Sequence, residues 1–280
     1  MNDALLEVKD LRVGFGGGRD LFLRRRERFE AVRGVDLTIR KGESFAIVGE
    51  SGAGKSTVAK CIVGLQKPTS GEIRFGGEPL RVDRDSGQRR AIQMVFQDPY
   101  GSLNPRMTVG NAIGELLRVN GMVQGKDAAR ARTAELLAMV GLPETAMDKR
   151  PRAFSGGQRQ RIGIARALAI DPTLLVADEP VSALDVSIQA SILILLKRLQ
   201  RELGLTMVFI SHDLAVVKQL CDRVAVMNEG VIVEQGSVGE VLAHPKDPYT
   251  RKLLDATTEL PPMEIADLGI AVAPRSETRG

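Results

Sequence analysis

An α/β fold built on a mixed, mainly parallel sheet is predicted by three observations. Short apolar runs of central-strand length recur at residues 45–48, 174–177, 207–210 and 224–227. Helical patterning separates them, and strands alternating with helices build parallel sheets. The first run ends in a glycine-rich stretch from Gly49 to Gly54, where a helix is expected to begin. Finally, Asn228-Glu229-Gly230 lies between two apolar runs and reads as a hairpin turn, which adds an antiparallel strand and makes the sheet mixed.

The elements follow in order. Val35, Leu37 and Ile39 alternate with Asp36, Thr38 and Arg40, the period of a strand with one face buried. Lys41-Gly42 marks a turn. Residues 45–48 are apolar without alternation, as expected of a strand covered on both faces. Ile188, Ile192, Leu195, Leu196 and Leu199 recur at steps of three and four, giving a helix with one packing stripe. Residues 108–170 show helical patterning (Ile113, Leu116, Leu117; Leu136, Leu137, Val140) broken at Gly121, Gly141 and Pro143, and are expected to form an inserted helical subdomain. Two segments are expected to be loosely held: the Gly/Arg-rich residues 14–28 and the polar tail from about residue 260, with Pro261-Pro262. No internal repeat is visible.

Composition narrows the function classes. The 280 residues carry 39 Lys and Arg against 35 Asp and Glu, a net charge of +4, which is weak support for nucleic-acid binding. No uninterrupted apolar run exceeds five residues, far short of the roughly 20 needed to span a bilayer, so a membrane role has to come through a partner. Cys61 and Cys221 are too few and too isolated for a disulfide framework or a zinc site, which suits a reducing compartment. The first residues carry no basic region followed by an apolar stretch, so no secretion signal is expected.

The chemistry sits in a few short motifs. Gly49-Glu50-Ser51-Gly52-Ala53-Gly54-Lys55-Ser56, followed by Thr57, matches G-x-x-x-x-G-K-[ST] after a buried strand and before a helix. Glycines let backbone N–H groups turn toward a phosphate, and the helix start adds partial positive charge. Lys55 reaches the β- and γ-oxygens, and the Ser56 hydroxyl can bind Mg²⁺. This is the nucleotide loop of a P-loop NTPase core. Asp178 and Glu179 end the apolar run 174–177, the strand edge where open α/β sheets bind ligands. In P-loop nucleotidases the first such carboxylate serves Mg²⁺ and the second orients or deprotonates the attacking water. These two motifs alone do not separate a kinase, a GTPase, a helicase and a transporter motor.

Phe154-Ser155-Gly156-Gly157-Gln158 opens the helix patterned through Ile162, Ala165 and Leu168. Taken alone it is either a second anion site, offering a hydroxyl, bare N–H groups and a helix dipole, or simply a helix cap. With the motifs before it, the chain over about residues 4–255 resembles the nucleotide-binding subunit of an ABC transporter, with Phe154 in place of the leucine of L-S-G-G-Q. The resemblance implies one nucleotide-binding domain over 4–255 with an N-terminal antiparallel β portion, its helical subdomain at about 100–170, and a short loosely ordered tail at 256–280.

Two such chains are implied to pack head to tail, so that the Lys55 site of one and the Ser155 site of the other sandwich one ATP. Gln97 matches the glutamine that contacts Mg²⁺ and water and links to the transmembrane partner. Asp185, in Ser182-Ala183-Leu184-Asp185, matches the segment that crosses the dimer interface, and His212 matches the switch histidine at the γ-phosphate. An aromatic upstream of the loop stacks on adenine in this family; Phe15 and Phe29 both qualify.

Residues 95–109, 178–189 and 244–254 resemble the oligopeptide/dipeptide/nickel importer ATPases. The implied function is an ATP-hydrolysing motor, with peptide as the expected cargo, ATP and Mg²⁺ as its ligands, and Glu179, His212, Lys55 and Gln97 in catalysis. Two transmembrane permease subunits, a second copy or related ATPase, and indirectly an extracytoplasmic substrate-binding protein are the implied partners, with no nucleic acid. The implied location is peripheral, on the cytoplasmic face of the inner membrane. The competing expectation is a soluble ABC ATPase acting on nucleic acid or ribosomes; a single cassette without sustained heptads speaks against it.

Overall fold

The computed structural model describes residues 3–16, 29–81, 83–98, 103–182 and 184–256. These fall into two compact units, one made of the described residues up to Arg89 and from Thr206, the other of Arg90–Leu205.

The first unit begins with an antiparallel sheet in the order β2-β1-β4-β5, from β1 (Ala4–Phe15), β2 (Phe29–Arg40), β4 (Ser70–Phe75) and β5 (Glu78–Pro79). The alternation read at residues 35–39 is that of β2, whose Val35, Leu37 and Ile39 are buried while Asp36, Thr38 and Arg40 face solvent. A second group of strands contains β3 (Ser44–Val48), with β8 (Thr206–Ser211) and β9 (Arg223–Asn228) parallel on either side of it. β10 (Val231–Ser237) returns antiparallel to β9 through the turn expected at Glu229-Gly230. All five residues of β3 are buried, so it is covered on both faces as its unbroken apolar run predicts.

α1 (Lys55–Val63) starts where the glycine-rich stretch ends. It buries Val58, Ala59, Cys61 and Ile62, and that burial pushes the Cys61 thiol up to about 12. Three further helices complete the unit: α7 (Leu214–Leu220), α8 (Val238–Ala243) and α9 (Pro248–Asp255).

Along the chain, α2 (Ser86–Ala91) leads into the second unit. There β6 (Ile92–Val95) and β7 (Leu174–Asp178) pair in parallel, Ile92 opposite Leu174 and Val95 opposite Ala177. Between them lie α3 (Val109–Val119), α4 (Gly125–Met139), two short 3-10 turns (Glu144–Asp148 and Pro151–Ala153) and α5 (Gly156–Leu168). Ile113, Leu117, Leu136, Leu137 and Met147 form the buried heart of these helices. α6 (Val186–Leu203) follows, with Ile192, Leu195, Leu196 and Leu199 of its stripe fully buried. The mixed α/β class, the antiparallel N-terminal sheet and the helices inserted between two parallel strands are thus as the sequence predicts.

Two details differ. Gly14 and Phe15, expected to begin a loose segment, belong to β1. Gly14 pairs with Glu30 and Phe15 with Phe29, and the Gly14 N–H donates to Thr69 Oγ1 at 3.0 Å. Most of that segment, residues 17–28, and the tail from residue 257 lie outside the described residues. The strands β4 and β5 are not predicted by the sequence pattern, because Ile73 is the only core side chain in the pair and a single buried residue leaves no period to read.

Candidate functional site

In the first unit the phosphate-type loop is shaped by close approach. Gly49 leaves β3 with φ 154°, and a Cβ there would stand 2.1 Å from the Met227 carbonyl oxygen. Gly54, at φ 102°, is the N-cap of α1, and its Cβ would meet the Ala31 oxygen at 2.3 Å. Both positions therefore exclude any side chain. The turn is closed by Ala53 N–H donating to the Glu50 carbonyl at 3.2 Å, and by Gly230 N–H donating to the Ala53 carbonyl at 3.0 Å.

Lys55 is buried, and its Nζ donates to the carbonyls of Gly49 (2.9 Å) and Glu50 (3.0 Å). Its ammonium is thereby held inside the curl of the loop. No side chain caps α1, whereas Thr108, Ser155, Asp213, Ser237 and Asp247 each cap their own helix. The N–H groups and positive dipole end of α1 are thus presented to an anion.

The strand register brings His212 to the same edge. Val48 is opposite Ser211, so Gly49 and His212 leave neighbouring parallel strands side by side. His212 is exposed in a turn fixed by Asp213 N–H donating to Ser211 Oγ at 2.9 Å and by Asp213 Oδ1 accepting from Ala215 N–H at 2.8 Å.

In the second unit the register of β6 and β7 does the same for the other candidates. With Val95 opposite Ala177, Gln97 and Glu179 each stand two residues past a paired position, and they meet. Gln97 Nε2 donates to Glu179 Oε2 and to Ser182 Oγ, both at 3.2 Å, and Ser182 Oγ donates to the Glu179 carbonyl, also at 3.2 Å. Asp178 is buried. Glu179 has a left-handed backbone, φ 43°. Such a conformation costs a non-glycine residue about 1–3 kcal/mol and collects at functional sites; here it turns the second carboxylate out of the strand.

Ser155 is the N-cap of α5 in a full capping box: its Oγ accepts from Gln158 N–H at 3.3 Å, and Gln158 Oε1 accepts from Ser155 N–H at 3.0 Å. Phe154 is a buried apolar residue, which accounts for an aromatic where the motif has leucine. A Cβ on Gly157 would meet Ile188 Cγ2 at 2.4 Å, so that glycine also serves the packing of α6 on α5. Asp185 is exposed and is the N-cap of α6, with no side-chain cap bond. Of the two candidate aromatics, Phe15 and Phe29 are cross-strand partners at the open end of the β1–β2 pair, 43% and 65% exposed. β2 then passes Ala31 against Gly54 of the loop.

The Gln97–Glu179–Ser182 contacts cannot be read from the sequence, whereas the Gln158 half of the capping box, missed in the sequence reading, has a signal there: Ser155 and Gln158 stand at the S-x-x-Q spacing of that motif. Those contacts depend on the tertiary register of β6 and β7 rather than on residue type.

Comparison with known proteins follows the same line. A family model described as ABC transporter matches residues 32–182. The oligopeptide transport ATP-binding protein OppF of Escherichia coli K12 is 49% identical over 257 residues, covering 90% of this chain and 77% of its own. OppF of Streptococcus pyogenes serotype M1 is 45% identical over 260 residues, covering 91% and 82%. Among solved structures, CbiO1 from Clostridium perfringens, part of the ABC transporter complex CbiONQ, superposes with TM-score 0.74 at 33% identity, covering 86% of this chain and 92% of that one. The dimeric ATP-binding cassette MJ0796, in a post-hydrolysis state with ADP and Pi, gives 0.72 at 32% identity, covering 83% and 98%.

Proposed function

Because the chain belongs to the ABC transporter family, as an ATP-binding ATPase subunit, we propose that it is the motor of an oligopeptide importer. The observation that carries this reading is the 45–49% identity to oligopeptide transport ATP-binding proteins over about 90% of the chain. Among the described residues no helix is long and apolar enough to cross a membrane. In this reading the subunit works on the cytoplasmic face of the inner membrane, docked on two permease subunits that receive cargo from an extracytoplasmic binding protein. Nucleic acid has no part in it.

ATP lies between two cassettes packed head to tail, the partner being a second copy or a related ATPase. Residues 49–57 hold its phosphates, Lys55 neutralises the β- and γ-oxygens, and Phe15 or Phe29 stacks on the adenine. Ser155, Gly156, Gly157 and Gln158 of the other cassette close on the γ-phosphate from the end of α5, with Asp185 at the interface. Glu179 accepts a proton from the attacking water as oxygen bonds to the γ-phosphorus and the bond to the ADP oxygen breaks. Gln97 steadies the Glu179 carboxylate through the bond between them, and His212 bonds the γ-phosphate.

The donor set fits Mg²⁺. Ser56, Gln97 and Asp178 offer oxygen ligands, which that ion prefers. When bound, Mg²⁺ offsets the negative charge of the β- and γ-phosphates.

The test is affinity purification of the chain from native membranes. The expected result is recovery of two multi-spanning permease subunits, with or without a second ATPase. Recovery of ribosomes or nucleic acid and no permease would overturn the transporter reading while leaving the ATP chemistry standing.

A further inference from the structure

The last helix among the described residues, α9, meets the nucleotide loop at Glu50. The Glu50 carbonyl accepts from Ala53 N–H and from Lys55 Nζ. Its N–H donates to the hydroxyl oxygen of Tyr249, on α9, at 2.9 Å across 199 residues of sequence. Its carboxylate faces Lys252, one turn further along the same helix, at 3.3 Å. That ion pair is solvent-exposed on both sides and contributes little by itself. The Tyr249 bond is different, because it fixes a backbone group of the loop.

α9 is well placed to act as an anchor. Pro248 stands in its first turn, Asp247 Oδ1 caps it by accepting from Tyr249 N–H at 2.8 Å, and Thr250 and Leu253 are buried. The segment leading into it is tied to β10 by Glu234, whose carboxylate accepts from the N–H groups of Lys246 (2.9 Å) and Asp247 (3.1 Å). Burial pushes the Glu234 carboxyl up, but the Lys246 N–H, the Thr250 hydroxyl and the Asp247 N–H facing it, together with the Lys246 charge, outweigh it and hold the group below the ordinary carboxylate range. The carboxylate therefore stays ionised, and the anchor holds, at neutral pH. Arg251 closes the turn by donating from Nε to the Pro245 carbonyl and from Nη2 to the Lys246 carbonyl.

We infer that Tyr249 is a positioning residue for the nucleotide loop: its hydroxyl holds the Glu50 N–H outward so that the loop stands in its phosphate-binding curl before ATP arrives. This rests on ATP being the ligand of residues 49–57 and is independent of the cargo. A loop ordered in advance binds with less entropy loss, so the effect appears in affinity rather than in the chemical step.

The experiment is Tyr249→Phe in the full-length chain, which removes only the hydroxyl. Titration with a fluorescent ATP analogue should show Kd raised about three- to fivefold, the loss of one ordinary hydrogen bond. KM for ATP should rise in parallel, with kcat at saturating ATP changed less than about twofold. Hydrogen exchange of the peptide containing Glu50 should be faster in the variant. A second variant, Glu234→Gln, keeps Tyr249 but loosens its helix and should raise Kd in the same direction; it decides the matter if the first does not fold. Unchanged Kd, or raised Kd without faster exchange at Glu50, overturns the inference. Failure of the unaltered chain to bind the analogue at all would instead contradict the ATP site.

Discussion

Glu179→Gln lowers the maximal rate of ATP hydrolysis by a factor on the order of 10²–10⁴, the range for removing a general base, while leaving ATP affinity within a few fold. The substitution keeps size and hydrogen-bonding capacity, and the Gln97 Nε2 bond can pass to the new amide oxygen, so the local structure around Ser182 persists. What is lost is the capacity to take a proton from water. Because ATP then stays intact between the two cassettes, the variant accumulates as a nucleotide-bound dimer, visible by size-exclusion chromatography in the presence of ATP. A variant that hydrolyses at the unaltered rate would remove Glu179 from the role given to it.

Gly54→Ala sharply weakens nucleotide binding for a reason of geometry rather than charge. The position has φ 102°, and the added methyl would stand 2.3 Å from the Ala31 carbonyl oxygen and 2.7 Å from Met227 Cε. The methionine terminus can swing away, but Ala31 belongs to β2, so its carbonyl cannot move without disturbing that strand. The start of α1 moves instead, carrying Lys55 with it. The expected loss is about 100-fold or more in ATP affinity, roughly 3 kcal/mol, with a lowered Tm. Gly42→Ala is the control: it also has positive φ, 76°, but nothing within 4 Å of the new Cβ. It should cost only the left-handed strain of about 1–2 kcal/mol in stability and leave affinity for ATP intact. Isothermal titration and thermal melting of the two variants separate steric exclusion from backbone strain.

The parts of the site that are legible in the sequence are those where conformation restricts residue choice. Gly49 and Gly54 are glycine because a Cβ would collide with a neighbouring carbonyl, and that requirement makes the loop recognisable from its residues alone. The strands β3 and β7 are visible because burial on both faces forces unbroken apolar runs. Other features depend on partners distant in sequence. Gln97 meets Glu179 only because β6 and β7 pair with Val95 opposite Ala177. The left-handed backbone of Glu179 leaves no mark on residue type, since glutamate rarely adopts it. Phe15 and Phe29 read in sequence as rivals separated by an insertion, whereas they are cross-strand neighbours. Residue type leaves Ser155 open between anion site and helix cap; it is a helix cap with a full capping box, and its contact with ATP belongs to the proposed dimer.

The central claim is that ATP hydrolysis by this chain drives uptake of oligopeptides. It is tested most directly by measuring ATP-dependent accumulation of a labelled oligopeptide in vesicles that hold the co-purified permeases and binding protein, with either the unaltered chain or its Glu179→Gln variant as the ATPase. The account predicts accumulation with the unaltered chain and none above the ATP-free level with the variant. Hydrolysis by the unaltered chain with no peptide accumulation, or equal accumulation with the two chains, would contradict it.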